Sequence, residues 1–353
     1  MTLKAGIIGL PRCGKTTIFN ALTAAGAAEF SGAETNRAVV EVPDSRLAPL
    51  IEIYRPPKTV RAALELVDIP GLQAGSTAEG GRGNRLLAHV KDVNALLHVV
   101  AFFRDPGEID PAGDIEIVDL EMVTADVQTV QNKIDRLVKK SRSGDKQALK
   151  ELEACRKVLA SLESGVPARK QDLGPAELEA VAECHLSSLK PVLYIANLAS
   201  VSEADGEQVL RLARLARGEG AEMIAVAGRD EADLSELEPD ERREFMAELG
   251  IAESSVERLI RAAYRLLGLI TFFTAGPTEV HAWTCRSGDC APVAAGKIHT
   301  DMETGFIRME VIRHEDLVES GSEEAAAKAG KRRLEGKEYQ VRDGDVVVVR
   351  FSN

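Results

Sequence analysis

Gly9-Leu10-Pro11-Arg12-Cys13-Gly14-Lys15-Thr16-Thr17 decides how this chain is read. The run fits G-x-x-x-x-G-K-[ST]. Its flanks suit that pattern, because Ala5-Gly6-Ile7-Ile8 reads as a short apolar strand. Thr17 to Ala28 reads as a helix with Ile18, Phe19 and Leu22 on one face. A strand, a glycine-rich turn and a helix N-terminus together make a cradle for phosphate. Loop N–H groups point inward, and the helix dipole adds positive potential. Lys15 is placed to reach β- and γ-phosphates, and the Thr16 hydroxyl to ligate Mg²⁺. The stretch therefore predicts binding of a nucleoside triphosphate through Gly9, Arg12, Cys13, Gly14, Lys15, Thr16 and Thr17.

The pattern of strands and helices extends on both sides of a different segment. Ala63 to Asp68 and Ala95 to Ala101 read as strands, the latter apolar enough to be buried on both faces of a parallel sheet. Leu120, Val123, Val127, Val130, Ile134 and Leu137 then recur at helical spacing. Ser141 to Gly144 interrupts the run, and Ala148, Leu152, Cys155, Leu159 and Leu162 continue it until Gly165 and Pro167. This predicts an antiparallel helical hairpin. The α/β pattern resumes with a strand at Pro191 to Asn197, a helix at Gln208 to Gly218, a strand at Met223 to Ala227 and helices at Asp240 to Leu249 and Ser255 to Leu267. The hairpin is thus an insertion. From about residue 270 the chain reads as a small α+β domain, with strands at Glu279 to Thr284, Phe306 to Ile312 and Val346 to Phe351 and a helix at Glu323 to Glu335. The expected domains are 1–118 with 190–268, the insertion 119–189, and 270–353.

Composition narrows the partners. A net charge of −12 excludes nonspecific nucleic-acid binding as the default and predicts no DNA specificity. No apolar run is long enough to span a bilayer and no signal-peptide pattern opens the chain, so no membrane contact and a cytoplasmic location are expected. The tip of the hairpin reverses the overall charge: Lys133, Arg136, Lys139, Lys140, Arg142 and Lys146 face only Asp135 and Asp145. Two readings stand with equal weight, an RNA-binding patch and a solvated helix face. The five cysteines, Cys13, Cys155, Cys184, Cys285 and Cys290, suit reduced thiols. Cys13 lies beside the helix N-terminus and Lys15, where a thiolate is stabilised; an inert loop residue is the favoured reading over a redox-sensitive one. His89, His98, His281 and His299 read as packing or surface residues.

Two further motifs follow the loop. Asp68-Ile69-Pro70-Gly71 lies after a strand, where the Asp reaches Mg²⁺ through water and the Gly N–H senses the γ-phosphate. Leu72 comes next, where many GTPases carry a water-orienting Gln, so slow hydrolysis is expected. Gly75 to Asn84 is glycine-rich and expected to respond to nucleotide. Asn197-Leu198-Ala199-Ser200 occupies the place of a base-reading N-K-x-D. Ser200 offers no carboxylate to guanine, which removes the main source of guanine preference. Asn197 is open to two readings, a contact to the base edge or the end of a strand.

Taken together, these residues resemble the YchF subfamily of Obg-related P-loop NTPases, as a divergent member. The resemblance runs end to end and includes Val39 to Asp44, Gly83-Asn84, Lys139 to Lys146, Tyr194 to Asn197, Ala295-Gly296-Lys297-Ile298-His299-Thr300-Asp301 and Gly305-Phe306-Ile307-Arg308. It implies an Obg-type G domain, the inserted hairpin and a C-terminal ubiquitin-like TGS domain. It further implies an ATP-preferring hydrolase, with GTP possible, that uses Mg²⁺ and associates with ribosomes through the hairpin tip and TGS domain. By this resemblance Lys15, Asp68 and Gly71 serve hydrolysis, Thr16 and Asp68 hold the metal, and Asn197 and Leu198 join the nucleotide site. The chain departs from the family pattern at four places. Ser200 stands for the Glu of N-x-x-E. Gly32 falls where switch I carries a Thr, with Thr35 out of register. Arg104 to Asp114 lacks the family's His. Arg12-Cys13 replaces Asn-Val. The alternative reading is a nucleotide-stabilised RNA- or ribosome-binding module with negligible hydrolysis.

Overall fold

A computed structural model describes residues 3–25, 29–30, 36–70, 88–142, 145–235, 237, 241 and 254–352. The chain forms two compact units: Met1–Val39 with Glu65–Ala263, and Val40–Leu64 with Tyr264–Asn353.

In the first unit, β1 (Lys4–Ile8) leads through the loop to α1 (Lys15–Ala25), followed by β2 (Glu29–Phe30) and β3 (Asn36–Glu41). The chain then gives α2 (Leu47–Tyr54) and β4 (Lys58–Val60) to the second unit before β5 (Ala63–Asp68) and β6 (Ala95–Ala101). Two helices, α3 (Pro111–Ser141) and α4 (Lys146–Glu163), make the hairpin, and α5 (Pro175–Val181) follows it. β7 (Val192–Asn197), α6 (Glu207–Gly218), β8 (Glu222–Val226), α7 (Gly228–Ser235) and α8 (Ser255–Leu266) complete the run. The sheet order is β2-β3-β5-β1-β6-β7-β8. β1 runs parallel to β5 on one side and β6 on the other, so the strand order reverses beside it. In open parallel sheets such a reversal leaves a crevice at the carboxyl ends of the strands, and the phosphate loop leaves β1 there. Every residue of β6 and β7 is buried, as strands covered on both faces require.

α3 begins at Pro111, well before the insertion boundary expected at 119. Proline suits the first helical position because its missing N–H would be unpaired there in any case. The apolar series starting at Leu120 thus misses the first turns of the helix, and Leu120 itself is exposed. Ile115, Val118 and Met122 join the core under the sheet. Val123, Val130, Ile134 and Leu137 pack against Ala148, Leu152, Cys155, Leu159 and Leu162 of α4. One continuous helix therefore belongs to the sheet core at its start and to the hairpin at its end. Asp145 caps α4, accepting from the Gln147 and Ala148 N–H groups.

The second unit contains β9 (Leu269–Ala275), β10 (Glu279–Arg286), α9 (Ala291–Ile298), α10 (Thr300–Thr304), β11 (Phe306–Arg313), α11 (His314–Ser320), α12 (Glu323–Lys328), β12 (Arg333–Glu335) and β13 (Asp345–Phe351). The sheet order is β12-β11-β13-β9-β10-β4. β4 pairs parallel with β10, so Val40–Leu64, expected with the first domain, lies in this unit. Arg46 holds the segment. Its guanidinium binds Asp44 at 2.7 Å and Asp343 at 2.8 Å and lies 5.3 Å from the Phe273 ring centre. α9 covers Phe272, Cys285, Met309 and Val347. The helix expected over Glu323 to Glu335 stops at Lys328. Gly330 takes a left-handed backbone (φ 72°), and Lys331 N–H reaches back to the Ala326 carbonyl at 2.9 Å, which closes the helix and frees Arg333–Glu335 to pair with β11. The expected helix at Asp240 to Leu249 (Glu241 apart), the hairpin break at Ser143-Gly144 and the loop Gly71 to Asn84 fall outside the described residues.

Candidate functional site

The loop between β1 and α1 is held by contacts that leave little freedom. Gly9 and Gly14 have φ of 146° and 90°. A Cβ at Gly9 would approach the Val99 carbonyl oxygen to 2.5 Å, and one at Gly14 would overlap Asn197 Nδ2. Both positions therefore demand glycine. Asn197, at the end of β7, donates from Nδ2 to the Cys13 carbonyl at 3.0 Å, tying the loop to the far side of the crevice. Helix α1 starts at Lys15, two residues earlier than the sequence suggested. The first N–H groups of any helix lack intrahelical partners, and here they open toward the loop.

Lys15 is buried, and its ammonium donates to the Leu10 carbonyl at 2.8 Å and the Gly9 carbonyl at 3.4 Å. Thr16 and Thr17 are exposed. Thr16 Oγ1 donates to Asp68 Oδ2 at 3.1 Å, which brings the end of β5 to the start of α1. Burial raises the Asp68 carboxyl pKa, opposed by hydrogen bonds from Thr16 and Asn36 and by the charge of Lys15. Cys13 is buried, and desolvation raises its thiol pKa despite the Lys15 ammonium, which favours the inert reading of this thiol.

Of the expected site residues, Gly9, Arg12, Cys13, Gly14, Lys15, Thr16, Thr17, Asp68 and Asn197 come together around this crevice. Leu198 is different: its side chain is in the core and its N–H bonds to the Val226 carbonyl at 2.9 Å. Gly71, Thr35, Gly32 and Leu72 lie outside the described residues. Sequence reading missed the Asn36 bond to Asp68 and the grip of Asn197 on the loop, because both join positions remote in the chain. In the loop after β7 Ser200 receives a hydrogen bond from Ser202, while Glu203, folded back in the next turn, accepts from the Ala199 N–H at 3.3 Å.

The hairpin tip keeps Lys139, Lys140 and Arg142 at the end of α3 and Lys146 at the start of α4. Lys133, counted with the tip in the sequence, is half-covered and pairs with Glu151 at 3.9 Å and Glu183 at 3.8 Å. Among the histidines, His281 stacks on Trp283 with ring centres 3.5 Å apart and bonds Glu279, and His299 caps α10. All five cysteines are free. Among the described residues no helix is long and apolar enough to cross a membrane.

Comparisons with known proteins agree with this architecture. The family model described as "50S ribosome-binding GTPase" matches residues 4–140. The model of the YchF GTPase C-terminal domain, described as a protein of unknown function, matches residues 269–352. The chain is 45% identical to the ribosome-binding ATPase YchF of Bacillus subtilis, covering 100% of both chains. It is 40% identical to Obg-like ATPase 1 of Oryza sativa over 99% of this chain and 92% of that one. The solved structure of the Schizosaccharomyces pombe YchF GTPase matches at a TM-score of 0.86 and 30% identity, over 99% of this chain and 98% of that one. The first unit is thus a P-loop GTPase-type domain carrying a helical hairpin, and the C-terminal sheet has the ubiquitin-like TGS arrangement. With full-length identity to its relatives at this level, the chain belongs to the YchF family of Obg-related P-loop NTPases.

Proposed function

We propose that this protein is a Mg²⁺-dependent, ATP-preferring P-loop NTPase that also admits GTP and acts in the cytoplasm as a nucleotide-gated, ribosome-associated factor. The observation that carries the reading is the Thr16–Asp68 bond of 3.1 Å beside the glycine-constrained loop and Lys15. One hydroxyl and one carboxylate suit Mg²⁺, which keeps several waters and takes its other ligands from phosphate. When bound, the metal and nucleotide supply the charge neutralisation and the scissile phosphoanhydride. Thr16 would hold the metal directly and Asp68 through water. Lys15, already seated on loop carbonyls, would turn its remaining donors to the γ-phosphate. Gly9, Cys13, Gly14 and Thr17 would enclose the phosphates, with Arg12 at their γ end. Asn197 would keep the loop closed, and Leu198 would contribute no more than its carbonyl. Gly71 would report the γ-phosphate to Gly75–Asn84.

The names of the relatives, ribosome-binding ATPase and Obg-like ATPase, support both the reaction and the partner. The basic hairpin tip and TGS domain are the proposed ribosomal contacts. Calorimetric titration with ATP and GTP, each with Mg²⁺, tests the reading. Tighter ATP binding is expected, and no binding of either would remove it. Gly32 in place of the switch I Thr and the absence of His from Arg104 to Asp114 favour a second reading, a nucleotide-stabilised binding module with negligible turnover. Persistence of ATP for many hours at saturating enzyme would select that reading.

A further inference from the structure

We infer that the guanidinium of Arg12 supplies, from within the loop itself, the positive charge that stabilises the γ-phosphoryl group during its transfer to water. The inference rests on the nucleotide-hydrolase reading above. It begins from backbone strain. Cys13 N–H reaches the Leu10 carbonyl at 3.4 Å and closes a four-residue turn with Pro11 second and Arg12 third. Arg12 has φ 63°. A turn with Pro second and a left-handed third residue favours Gly or Asn there, because a longer side chain crowds its own backbone. The chain nonetheless keeps an arginine at this point.

Among the described residues no hydrogen bond or ion pair of the Arg12 side chain offsets that strain. Arg12 is exposed and has no carboxylate partner among them. Two other cations near the loop are committed: Lys15 to the Gly9 and Leu10 carbonyls, and Arg104 to Asp114 at 3.4 Å. Strained residues without a structural return cluster at functional sites. Arg12 stands at the apex of the phosphate cradle, in the crevice where the strand order reverses. A guanidinium is planar and always charged, and its fork of N–H donors matches phosphate oxygens.

The chemistry leaves a place for such a group. In hydrolysis a water oxygen bonds to the γ-phosphorus, and the bond from that phosphorus to the β–γ bridging oxygen breaks. The bonding pair stays on the nucleoside diphosphate, and a water proton passes to solvent, giving the diphosphate and inorganic phosphate. Leu72 cannot orient the water by hydrogen bonding. An arginine acting on the departing oxygens lowers the same barrier by another route, and one acting within its own chain needs no partner to deliver it.

The test uses the full chain and three variants, Arg12→Ala, Arg12→Asn and Arg12→Lys. Arg12→Asn tolerates the left-handed turn, so its effects are free of backbone strain. Affinities for ADP, and for ADP with aluminium fluoride as a mimic of the transferring phosphoryl group, are measured by calorimetry with Mg²⁺. All variants are expected to bind ADP within about twofold of wild type, while Ala and Asn lose on the order of 100-fold for the fluoride complex. Their kcat should fall roughly 10³-fold with KM little changed, and Lys should recover part of the loss. Unchanged fluoride-complex affinity and kcat in Ala and Asn would overturn the inference. Equal losses for ADP and the fluoride complex would also overturn it, making Arg12 a ground-state anchor. Wild type that binds no nucleotide would instead remove the hydrolase reading beneath it, a result visible before any variant is made.

Discussion

At Gly14 the loop has no room for a side chain, since a Cβ would overlap the amide of Asn197, and φ is 90°. Gly14→Ala must therefore displace Asn197 or rebuild the loop, and either breaks the cradle. Nucleotide affinity is expected to fall on the order of 100-fold or more, read by calorimetry, with a smaller loss of thermal stability. Asn197→Ala is milder. It leaves the Cys13 carbonyl without its 3.0 Å donor, at a cost of about 1–3 kcal/mol, so a tenfold weaker Kd is a reasonable scale. The same affinity in Asn197→Ala and wild type would mean that the loop holds its shape without β7. Lys15, Thr16 and Asp68 were legible in the sequence because their geometry is local: each follows a strand or opens a helix at fixed spacing. The role of Asn197 was not. Its partner is 184 residues away, and no spacing rule reports a contact of that kind.

The hairpin is the element whose reading in sequence was both clear and incomplete. Its apolar spacing was visible, but its root was not, because Pro111 and Gly113 interrupt the pattern just before Ile115 and Val118, which keep helical spacing with Met122. A second anchor was also hidden. Buried Asp126 of α3 accepts from the Ser187 N–H at 2.9 Å, the Ser188 N–H at 2.8 Å and the Ser188 hydroxyl at 2.6 Å. Asp126→Ala strands these donors in the interior and should destabilise the first unit by about 3 kcal/mol, measurable as a lower urea midpoint. A loss near zero would mean that water replaces the carboxylate. At the other end of the hairpin, Lys139, Lys140 and Arg142 are solvent-facing charges. Reversing all three to Glu changes exposed side chains only, so folding should be little affected. If the tip meets ribosomal phosphate, co-sedimentation should weaken, and the slope of log affinity against log salt should flatten by about 2. Unchanged co-sedimentation would leave the tip as a solvated face.

Across the whole molecule the sequence showed the two sheets, but not that Val40–Leu64 belongs with the second. That exchange depends on Arg46, Asp44 and Asp343, which no local pattern links. Nor did it show how much polar structure lies under the first sheet. Asp119 binds Arg169 at 2.6 Å and Lys170 at 3.2 Å, Glu219 binds Lys170 at 2.6 Å, and Tyr194 donates to Glu219 at 2.8 Å. His98 of β6 lies beside this network, 5.6 Å from the Tyr194 ring. It is 1% exposed, and neither ring nitrogen has a hydrogen-bond partner among the described residues. Burial pushes its pKa down to about 4; Asp119 opposes the shift, and Arg169, Lys15 and Lys170 add to it. The folded protein therefore keeps this imidazole neutral where the unfolded chain, titrating near 6.5, takes up a proton. The stability it contributes is complete above pH 6.5. It declines as pH falls toward 4, at up to about 1.4 kcal/mol per pH unit. Asp68, Asp114 and Asp126 work against the trend, because burial raises their folded pKa values and the native state binds their protons more readily. Wild type alone would mix the two effects. His98→Leu, similar in volume and unable to titrate, separates them. Between pH 7 and pH 5 the urea midpoint of wild type should fall further than that of the variant. Parallel midpoints would show that the His98 imidazole reaches solvent or a proton acceptor in the native state.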